Sequence, residues 1–368
     1  QRMDNPARAA ILQHMDNDLI IVGGGLNGPA LALATAQAGF RVTIIDSLAI
    51  DTRKDPAFDG RSYALALASM RLLRGIGVWN AIKDHAQPML EIKVTDGRIG
   101  EGPSPWMMHF DHAEIEEGPM GYMVEDRHLR RAFLDAMAAD DRITQLAEET
   151  VVAQRTDASG VAVTLASGKV VHGRLLVGSD GRKSGTATRA GIKRTGWGYG
   201  QTAVVCAVAH EKPHGGIAHQ FFMPAGPLAI LPLTENRSSI VWSETDDRAA
   251  ELMSMSDTDF LEALRPAFGS FLGQISLTGA RFSYPLGLTL ANSFIADRMP
   301  TLITPDIEAT YLAWIDCSSM KKENPAKYFE QEAGIYLSDG SFFGKPGHVR
   351  FNFGCPHSRV LDGLEKMA

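Results

Sequence analysis

The chain has 368 residues, of which 45% are hydrophobic and 21% are charged, and such fractions are typical of a folded globular protein. Its 36 basic and 43 acidic side chains give a formal net charge of −7, so no overall basic field favours a nucleic-acid partner. Three widely separated cysteines exclude a disulfide scaffold and show no metal-ligand spacing. No apolar run approaches the roughly 18 residues that cross a bilayer. We therefore expect a cytoplasmic protein of two or three domains without a metal site.

The first predicted elements are a strand, a glycine turn, a helix and a second strand. Residues 1–16 are interpreted as an extension. Residues 19–22 form a short apolar run rich in β-branched side chains, which predicts a buried parallel strand. Residues 29–39 are rich in Ala and Leu and predict a helix that ends at a glycine. Residues 41–45 predict the second strand, so the whole segment has the order of a βαβ unit.

The turn in this unit carries the motif Gly23-x-Gly25-x-x-Gly28. In such motifs the first glycine permits a tight turn, the second lets the backbone approach a pyrophosphate, and the third lets the helix pack against the strand. Asp46 follows the second strand, where an acidic side chain can bind ribose hydroxyls. We interpret the motif as a dinucleotide-binding turn. The alternative is a strand-to-helix turn without a ligand.

The chain between residues 61 and 299 alternates further helices and strands. In chain order, the sequence predicts helices within 61–86 broken at Gly75 and Gly77, short strands over 87–124, a helix over 126–138, an antiparallel pair at 160–165 and 169–171, a separate buried strand at 175–178, and strands over 197–290 with one helix near 257–265. The last of these segments predicts a mostly β layer inserted into the first fold.

The buried strand at 175–178 is followed by Ser179-Asp180-Gly181. Asp-Gly in isolation indicates only a turn. Here it resembles the second motif of the aromatic-ring flavoprotein hydroxylases, in which Asp180 and Gly181 would lie beside the flavin and take part in binding the nicotinamide cofactor.

Residues 17–299 resemble the FAD-dependent monooxygenases that hydroxylate ubiquinone precursors. The resemblance rests on the motifs at residues 59–65, 124–129, 196–201, 222–233 and 284–286. It implies that Arg61 approaches the flavin. It also implies that the start of the helix at Asp126 and Arg127 contacts the cofactor, and we carry this role over to Arg127.

The resemblance implies FAD as the cofactor, NADPH as the reductant, and transfer of one oxygen atom to a small, electron-rich, prenylated phenol. The protein would contribute positioning, exclusion of water and electrostatics. A prenylated substrate would bring the protein to the surface of the inner membrane, although no basic amphipathic helix is evident. The sequence does not indicate an oligomeric state or a catalytic side chain. The isolated histidines are interpreted as surface or core residues; they include His109, His112, His214 and His219.

The resemblance to the hydroxylases stops at Met299, because no Gly-Asp motif and no closing helix follow. Residues 300–368 instead resemble the C-terminal part of pyridoxal-phosphate-dependent lyases of the cystathionine β-lyase type. The matching motifs lie at residues 308–316, 332–335, 338–344 and 349–356. In that family the arginine at the position of Arg350 pairs with a substrate carboxylate. The Schiff-base lysine is absent, so we interpret Arg350 as structural.

The predicted fold class is α/β, with a Rossmann-like FAD-binding sheet, an inserted β-rich substrate layer and a small α/β C-terminal unit of different origin. The predicted domains are an extension at 1–16, an FAD-binding domain at 17–195, a substrate domain at 196–299 and a lyase-like segment at 300–368. In the last segment we predict strands at 311–315 and 349–353 and a helix at 326–333.

The leading functional hypothesis is a flavin monooxygenase that is impaired by the missing Gly-Asp motif. Its flavin cleft would lack one wall, and admission of water would uncouple NADPH oxidation from hydroxylation. The alternatives are a non-catalytic fusion of two truncated enzymes, a pyridoxal-phosphate lyase and a simple NAD dehydrogenase.

Overall fold

The computed structural model describes residues 17–57, 60–98, 100, 102–114, 118–157, 160–292 and 312–352, together with residues 362 and 366. The chain divides into two compact units, Gln1–Arg298 and Met299–Ala368. This division lies one residue before the predicted segment 300–368, while the predicted extension at 1–16 lies outside the described residues.

The elements of the first unit are numbered in chain order. Its strands are β1 (Asn17–Val22), β2 (Val42–Ile45), β3 (Ser62–Ala66), β4 (Gln87–Met89), β5 (Glu91–Arg98), β6 (Gly102–Asp111), β7 (Gly121–Glu125), β8 (Ile143–Leu146), β9 (Val151–Asp157), β10 (Gly160–Leu165), β11 (Val170–Gly178), β12 (Arg194–His210), β13 (Ile217–Phe222), β14 (Pro227–Leu233), β15 (Arg237–Thr245), β16 (Ile275–Leu277) and β17 (Phe282–Ala291). Its α-helices are α1 (Asn27–Gln37), α2 (Ile50–Lys54), α3 (Leu67–Gly75), α4 (Trp79–Ile82), α5 (Asp126–Ala138), α6 (Gly185–Arg189), α7 (Asp246–Ser254) and α8 (Asp257–Phe268). Short 3-10 helices span Lys83–His85 and His112–Glu114.

A six-stranded sheet with the order β8-β2-β1-β11-β10-β9 contains the predicted βαβ unit, which is confirmed as β1, α1 and β2. Strands β8, β2, β1 and β11 are parallel to their neighbours in this series. Alternate side chains of β1 enter different cores, because successive side chains of a strand point to opposite faces. Leu19 and Ile21 pack in the core that includes α1 and α5, whereas Ile20 packs with the side chains of β9 and β10.

Strand β11 corrects one prediction. The segments 169–171 and 175–178, predicted as separate strands, form one continuous strand from Val170 to Gly178. Its first half pairs antiparallel with β10 and its second half pairs parallel with β1. Gly173 lies where the two pairings meet, and a β-carbon there would approach Ile20 Cγ1 to 2.8 Å. This glycine therefore permits the close packing of the β1–β11 pair.

A small three-stranded sheet, β3-β7-β4, corrects a second prediction. Residues 62–66 were included in a predicted helical region, but they form β3 and pair antiparallel with β7. The local Ala and Leu content favours a helix, and tertiary pairing overrides this weak preference. The predicted helix over 126–138 is confirmed as α5.

The large sheet has the order β16-β12-β15-β14-β13-β5-β6, and β17 also pairs with β12. It differs from the predicted domain division in two ways, because β12 runs across the 195/196 boundary and because β5 and β6 come from the preceding segment. Two helices, α7 and α8, pack on this sheet where one was predicted. Trp242 and Phe260 are fully buried between the sheet and these helices.

The second unit contains β18 (Leu312–Asp316), a 3-10 helix (Ser318–Met320), α9 (Pro325–Ala333), β19 (Ser338–Asp339), a 3-10 helix (Gly340–Phe343) and β20 (His348–Asn352). Its strands form an antiparallel sheet in the order β18-β20-β19, which packs with α9 around Phe329 and Val349. The predicted strands at 311–315 and 349–353 and the predicted helix at 326–333 are confirmed except at residues 311 and 353, which lie outside the described residues. The lyase-like origin of the segment stays a prediction. In the described parts of both units, no helix combines the length and apolar character needed to span a membrane.

Candidate dinucleotide-binding site

A cleft of about 470 Å³ opens at the carboxyl ends of β1, β2 and β11. Ligands of open α/β sheets bind at this edge. The residues that line the cleft are Val22, Gly23, Gly25, Ile45, Asp46, Ser47, Glu149, Thr150, Val151, Ser179, Asp180, Gly181, Lys183, Gly185 and Arg189. The glycine turn, the acidic residue after β2 and the Asp-Gly motif are therefore brought together, although they are far apart in the sequence.

The three motif glycines have different surroundings. Gly23 has φ +111°, in the region that favours glycine, and a β-carbon there would overlap the carbonyl of Ser179. A β-carbon on Gly28 would overlap the carbonyl oxygen of Gly23 and lie 3.3 Å from Ile44 Cδ1, so Gly28 packs the helix onto the sheet outside the cleft lining. A β-carbon on Gly25 would meet nothing within 4 Å. Gly25 therefore presents its backbone to open space.

Helix α1 begins within this motif, at Asn27. Its first turn contains no acidic residue, and no side chain caps its N-terminus. The first backbone N–H groups of a helix have no partner within the helix, and the helix dipole favours negative charge near them. The start of α1 is thus suited to a phosphate group.

Asp46 lies at the end of β2 and lines the cleft. Its Oδ2 accepts a hydrogen bond of 2.6 Å from the Gly24 amide, and its Oδ1 accepts one of 2.8 Å from the Leu48 amide. An ionised carboxylate has about four acceptor positions, so both oxygens retain capacity for ligand hydroxyls. The side chain is thereby oriented before any ligand binds.

The Asp-Gly motif is tied both to β1 and to α6. The Ser179 amide donates a hydrogen bond of 2.6 Å to the carbonyl of Val22. The Asp180 carboxylate accepts hydrogen bonds from the Ser184 hydroxyl and from the amide and hydroxyl of Thr186, the latter two at 3.0 Å. Burial raises the pKa of Asp180, but these hydrogen bonds outweigh it and hold the pKa below its ordinary value. Gly181 has φ +78°, which suits a glycine.

Arg61 and Arg127 do not line the cleft. The Arg61 guanidinium lies 5.7 Å from the centre of the Tyr63 ring and 5.3 Å from that of Tyr284, which places it between the small sheet and β17. Arg127 donates a hydrogen bond of 3.0 Å to Glu125, which precedes α5. The predicted cofactor contacts of both arginines stay predictions.

The cleft also contains polar residues that the sequence reasoning missed. Glu149 and Thr150 follow β8, which is parallel to β2 and ends at the same edge of the sheet. Lys183 and Arg189 follow the Asp-Gly motif and add positive charge to a lining that also contains acidic side chains. A place in the loop that follows a parallel strand could have indicated the first pair, whereas no pattern indicated the second.

The four histidines singled out in the sequence lie outside the cleft lining. His109 Nε2 lies 2.8 Å from Glu91, and His112 Nδ1 lies 3.0 Å from the carbonyl of Leu90. His214 Nε2 lies 2.8 Å from the carbonyl of Leu233. These contacts are those of structural side chains.

His219 on β13 packs between aromatic rings, with its ring centre 4.7 Å from that of Phe271. Burial, and then the charge of Lys93, lower the pKa of His219 to about 4. An unfolded histidine titrates near 6.5, so the unfolded chain binds the extra proton between about pH 6.5 and pH 4. The contribution of neutral His219 to stability is fully present above this window and is lost as the pH falls through it.

We therefore expect the His219→Phe variant to lose less stability on acidification than the wild type. The difference should be about 1 kcal/mol per pH unit between pH 6 and pH 4.5 in the free energy of unfolding, measured by urea denaturation. Above pH 6.5 and below pH 4 the difference in the free energy of unfolding between the two proteins should stay constant, which provides an internal control. Parallel curves for wild type and His219→Phe between pH 6.5 and pH 4 would contradict the lowered pKa of His219.

The geometry of the cleft is that of a dinucleotide-binding domain. Comparisons with known proteins identify the family to which this domain belongs. A sequence profile described as an FAD binding domain matches residues 16–285. Ubiquinone hydroxylase UbiL of Rhodospirillum rubrum is 44% identical over 282 residues, which cover 77% of this chain and 64% of that protein. The 3-demethoxyubiquinol 3-hydroxylase of Escherichia coli is 31% identical over 277 residues, which cover 75% of this chain and 69% of that protein. The chain belongs to the FAD-binding flavin-dependent monooxygenase family.

Solved structures agree on the fold of the first unit. The flavin-dependent monooxygenase PieE, in complex with FAD and substrate, aligns with a TM-score of 0.61 at 16% identity over 77% of this chain and 52% of that one. The p-nitrophenol 4-monooxygenase PnpA of Pseudomonas putida aligns with a TM-score of 0.59 at 16% identity over 75% of this chain and 69% of that one. The chain spans 64% of the length of the UbiL relative, and the matched family region ends before the second unit.

Proposed function

We propose that this chain is an FAD-dependent monooxygenase that hydroxylates a phenolic ubiquinone precursor at the expense of NADPH and oxygen. The observation that carries the proposal is the meeting of Gly25, Asp46 and Asp180-Gly181 in one cleft at the edge of a parallel sheet. The 44% identity to a ubiquinone hydroxylase supports the substrate class. The sequence resemblance favours a prenylated substrate of the 2-octaprenyl-6-methoxyphenol type, which would be met at the surface of the inner membrane.

The residues of the cleft fit the dinucleotide part of FAD. The open space at Gly25 allows a pyrophosphate to approach the backbone, and the amides at the start of α1 favour its charge. Asp46 would accept hydrogen bonds from ribose hydroxyls, because its carboxylate is already oriented by Gly24 and Leu48. When bound, FAD supplies the electron transfer and oxygen activation that no side chain provides.

Arg61 is suited to the ring end of the cofactor. Its guanidinium lies between the aromatic rings of Tyr63 and Tyr284, where the small sheet meets the large one. Planar contacts with aromatic groups are favoured by a guanidinium, which also carries a permanent positive charge. In this role Arg61 would orient the cofactor and stabilise negative charge on it. The large sheet would bind the aromatic substrate and exclude water from the reacting atoms.

The proposal is tested by the absorbance spectrum of the purified chain, followed by kinetics. We expect the spectrum of oxidised FAD, either as purified or after addition of FAD, and we expect NADPH to be consumed in its presence. Hydroxylated product per NADPH should be below one, because residues 300–368 lack the Gly-Asp motif that the resemblance implies for flavin closure. A chain that takes up no FAD would contradict the proposal, and stoichiometric product would contradict the expected uncoupling.

A further inference from the structure

Gly24 is the middle residue of the Gly23-Gly24-Gly25 run, and the dinucleotide motif assigns it no role. The residues that contact Gly24 indicate a role for it. A buried arginine, Arg53 on α2, lies against this glycine with only 4% of its side chain exposed. Arg53 Nη1 donates a hydrogen bond of 3.4 Å to the Gly24 carbonyl. A β-carbon on Gly24 would overlap this same nitrogen, so a larger residue there would displace the guanidinium.

The contacts of Gly24, Arg53 and Asp46 form a closed ring. The Gly24 amide donates to Asp46 Oδ2 at 2.6 Å, while the Gly24 carbonyl accepts from Arg53. The ring is completed by Arg53 Nε and Asp46 Oδ1, which lie 3.9 Å apart. Both polar groups of the residue directly before Gly25 are thus held, the amide by Asp46 of the cleft lining and the carbonyl by Arg53 from outside the lining.

A buried arginine at this position lowers the stability of the folded protein. Its buried Nε has no hydrogen-bond partner in the described part of the chain. Burial lowers the pKa of Arg53, and the nearby positive charge of Arg130 lowers it further, although Asp46 opposes both effects. A buried charge with an unmade hydrogen bond costs stability, and an apolar side chain of similar volume would avoid that cost. The contacts of Arg53 with the glycine turn are therefore better explained by function than by stability.

We propose that Arg53 is a positioning residue for FAD, which holds the Gly24 peptide and Asp46 so that the Gly25 backbone and the Asp46 carboxylate face the cleft. Arg53 does not line the cleft, so it acts through these groups and not by touching the ligand. Its effect on affinity comes from preorganisation, because a turn that is already ordered loses less freedom when the ligand binds. The inference rests on the proposed binding of FAD to this cleft.

The first test compares two buried arginines. Arg53→Met keeps the length of the side chain but removes the ring of contacts. We expect its dissociation constant for FAD, measured by flavin fluorescence titration, to rise about tenfold or more through lost preorganisation. Arg281→Met is the control, because the Arg281 side chain is also largely buried, with 12% exposed, but donates its hydrogen bonds to the carbonyls of Leu252 and Met255 and not to the glycine turn. Arg53→Met should melt no lower than the wild type, since a buried apolar side chain avoids the cost of the buried charge, and it alone should weaken FAD binding in the folded protein.

The second test uses the predicted overlap at Gly24. Gly24→Ala alone should weaken FAD binding, because the new methyl group displaces the Arg53 guanidinium. In an Arg53→Ala background the same change should cause little further loss, since only contacts of 3.0 to 3.1 Å with Asp46 remain to be relieved. Non-additivity of this kind reports direct contact between the two positions. Additive losses of FAD affinity from the two substitutions would overturn the positioning role of Arg53.

The results of these tests distinguish a failure of the positioning role of Arg53 from a failure of the proposed function on which it rests. A wild-type chain that binds no FAD contradicts the proposed function. A wild type that binds FAD, together with an Arg53→Met variant of equal affinity, overturns the positioning role. If Arg53→Met does not fold, Arg53→Lys gives the same measurement, because it keeps the charge and loses the fork geometry. Wild-type affinity in Arg53→Lys would then overturn the inference.

Discussion

Gly25→Val should severely weaken the binding of FAD while leaving the protein folded. The β-carbon at this position enters open space that belongs to the cleft, so the branched side chain occupies the path of the pyrophosphate without displacing protein atoms. We expect a loss of affinity of about 100-fold or more, equivalent to about 2.8 kcal/mol. The measurement is a flavin titration, accompanied by a thermal melt of the protein without FAD.

Gly28→Val is the matched control, because it places the same side chain in the same motif but outside the cleft. Its β-carbon would overlap the Gly23 carbonyl and crowd Ile44, so it should lower the melting temperature of the FAD-free protein markedly. Gly25→Val should melt close to wild type. Unchanged flavin affinity in Gly25→Val would show that the assigned cleft is wrong.

Asp126→Ala should be among the most destabilising substitutions in the first unit. The Asp126 carboxylate is 1% exposed and accepts two hydrogen bonds of 2.8 Å from Arg130 and one of 3.1 Å from the Tyr63 hydroxyl. Its removal takes two short hydrogen bonds from the buried Arg130 guanidinium, and breaking a buried ion pair typically costs about 3–5 kcal/mol. Urea denaturation should show a loss of this size in the free energy of unfolding.

Asp135→Ala provides the comparison on the same helix. Asp135 pairs with Lys54 at 2.9 Å, but the two side chains are 56% and 36% exposed. Such surface pairs contribute about 0–1 kcal/mol, so the variant should unfold nearly as the wild type does. Equal destabilisation by the two substitutions would contradict the buried pairing of Asp126.

The βαβ unit could be predicted because its signals are local. The apolar run of β1, the glycines of the turn and the acidic residue after β2 occur within one stretch of about 30 residues, the length of such units. The pairing of Asp180-Gly181 with that turn was also anticipated, from the family resemblance rather than from any local pattern. In the structure Gly23 packs directly against the Ser179 carbonyl.

The remaining features depend on contacts between distant residues. Nothing in the sequence around Arg53 distinguishes a buried arginine from the charged surface side chain expected in a short polar helix. The Ala-rich residues of β3 favour a helix until β7 pairs with them. The continuous course of β11 was hidden because a polar segment, His172 to Arg174, separates its apolar ends. These outcomes are set by tertiary packing, which sequence periodicity does not report.

Because β11 pairs with both β10 and β1, we expect its two pairings to form at different stages of folding. Its antiparallel partner β10 is adjacent in sequence, so the β10–β11 hairpin can form rapidly after synthesis of that segment. Its parallel partner β1 is distant; the Asn17 side chain, for example, bonds the His172 carbonyl 155 positions away. Contacts of such sequence separation form slowly, because the entropy of loop closure is lost before they contribute. We therefore expect the two halves of the cofactor cleft to be joined late, because a nascent chain that ends before residue 178 contains the glycine turn but not the Asp180-Gly181 motif that lines the cleft with it.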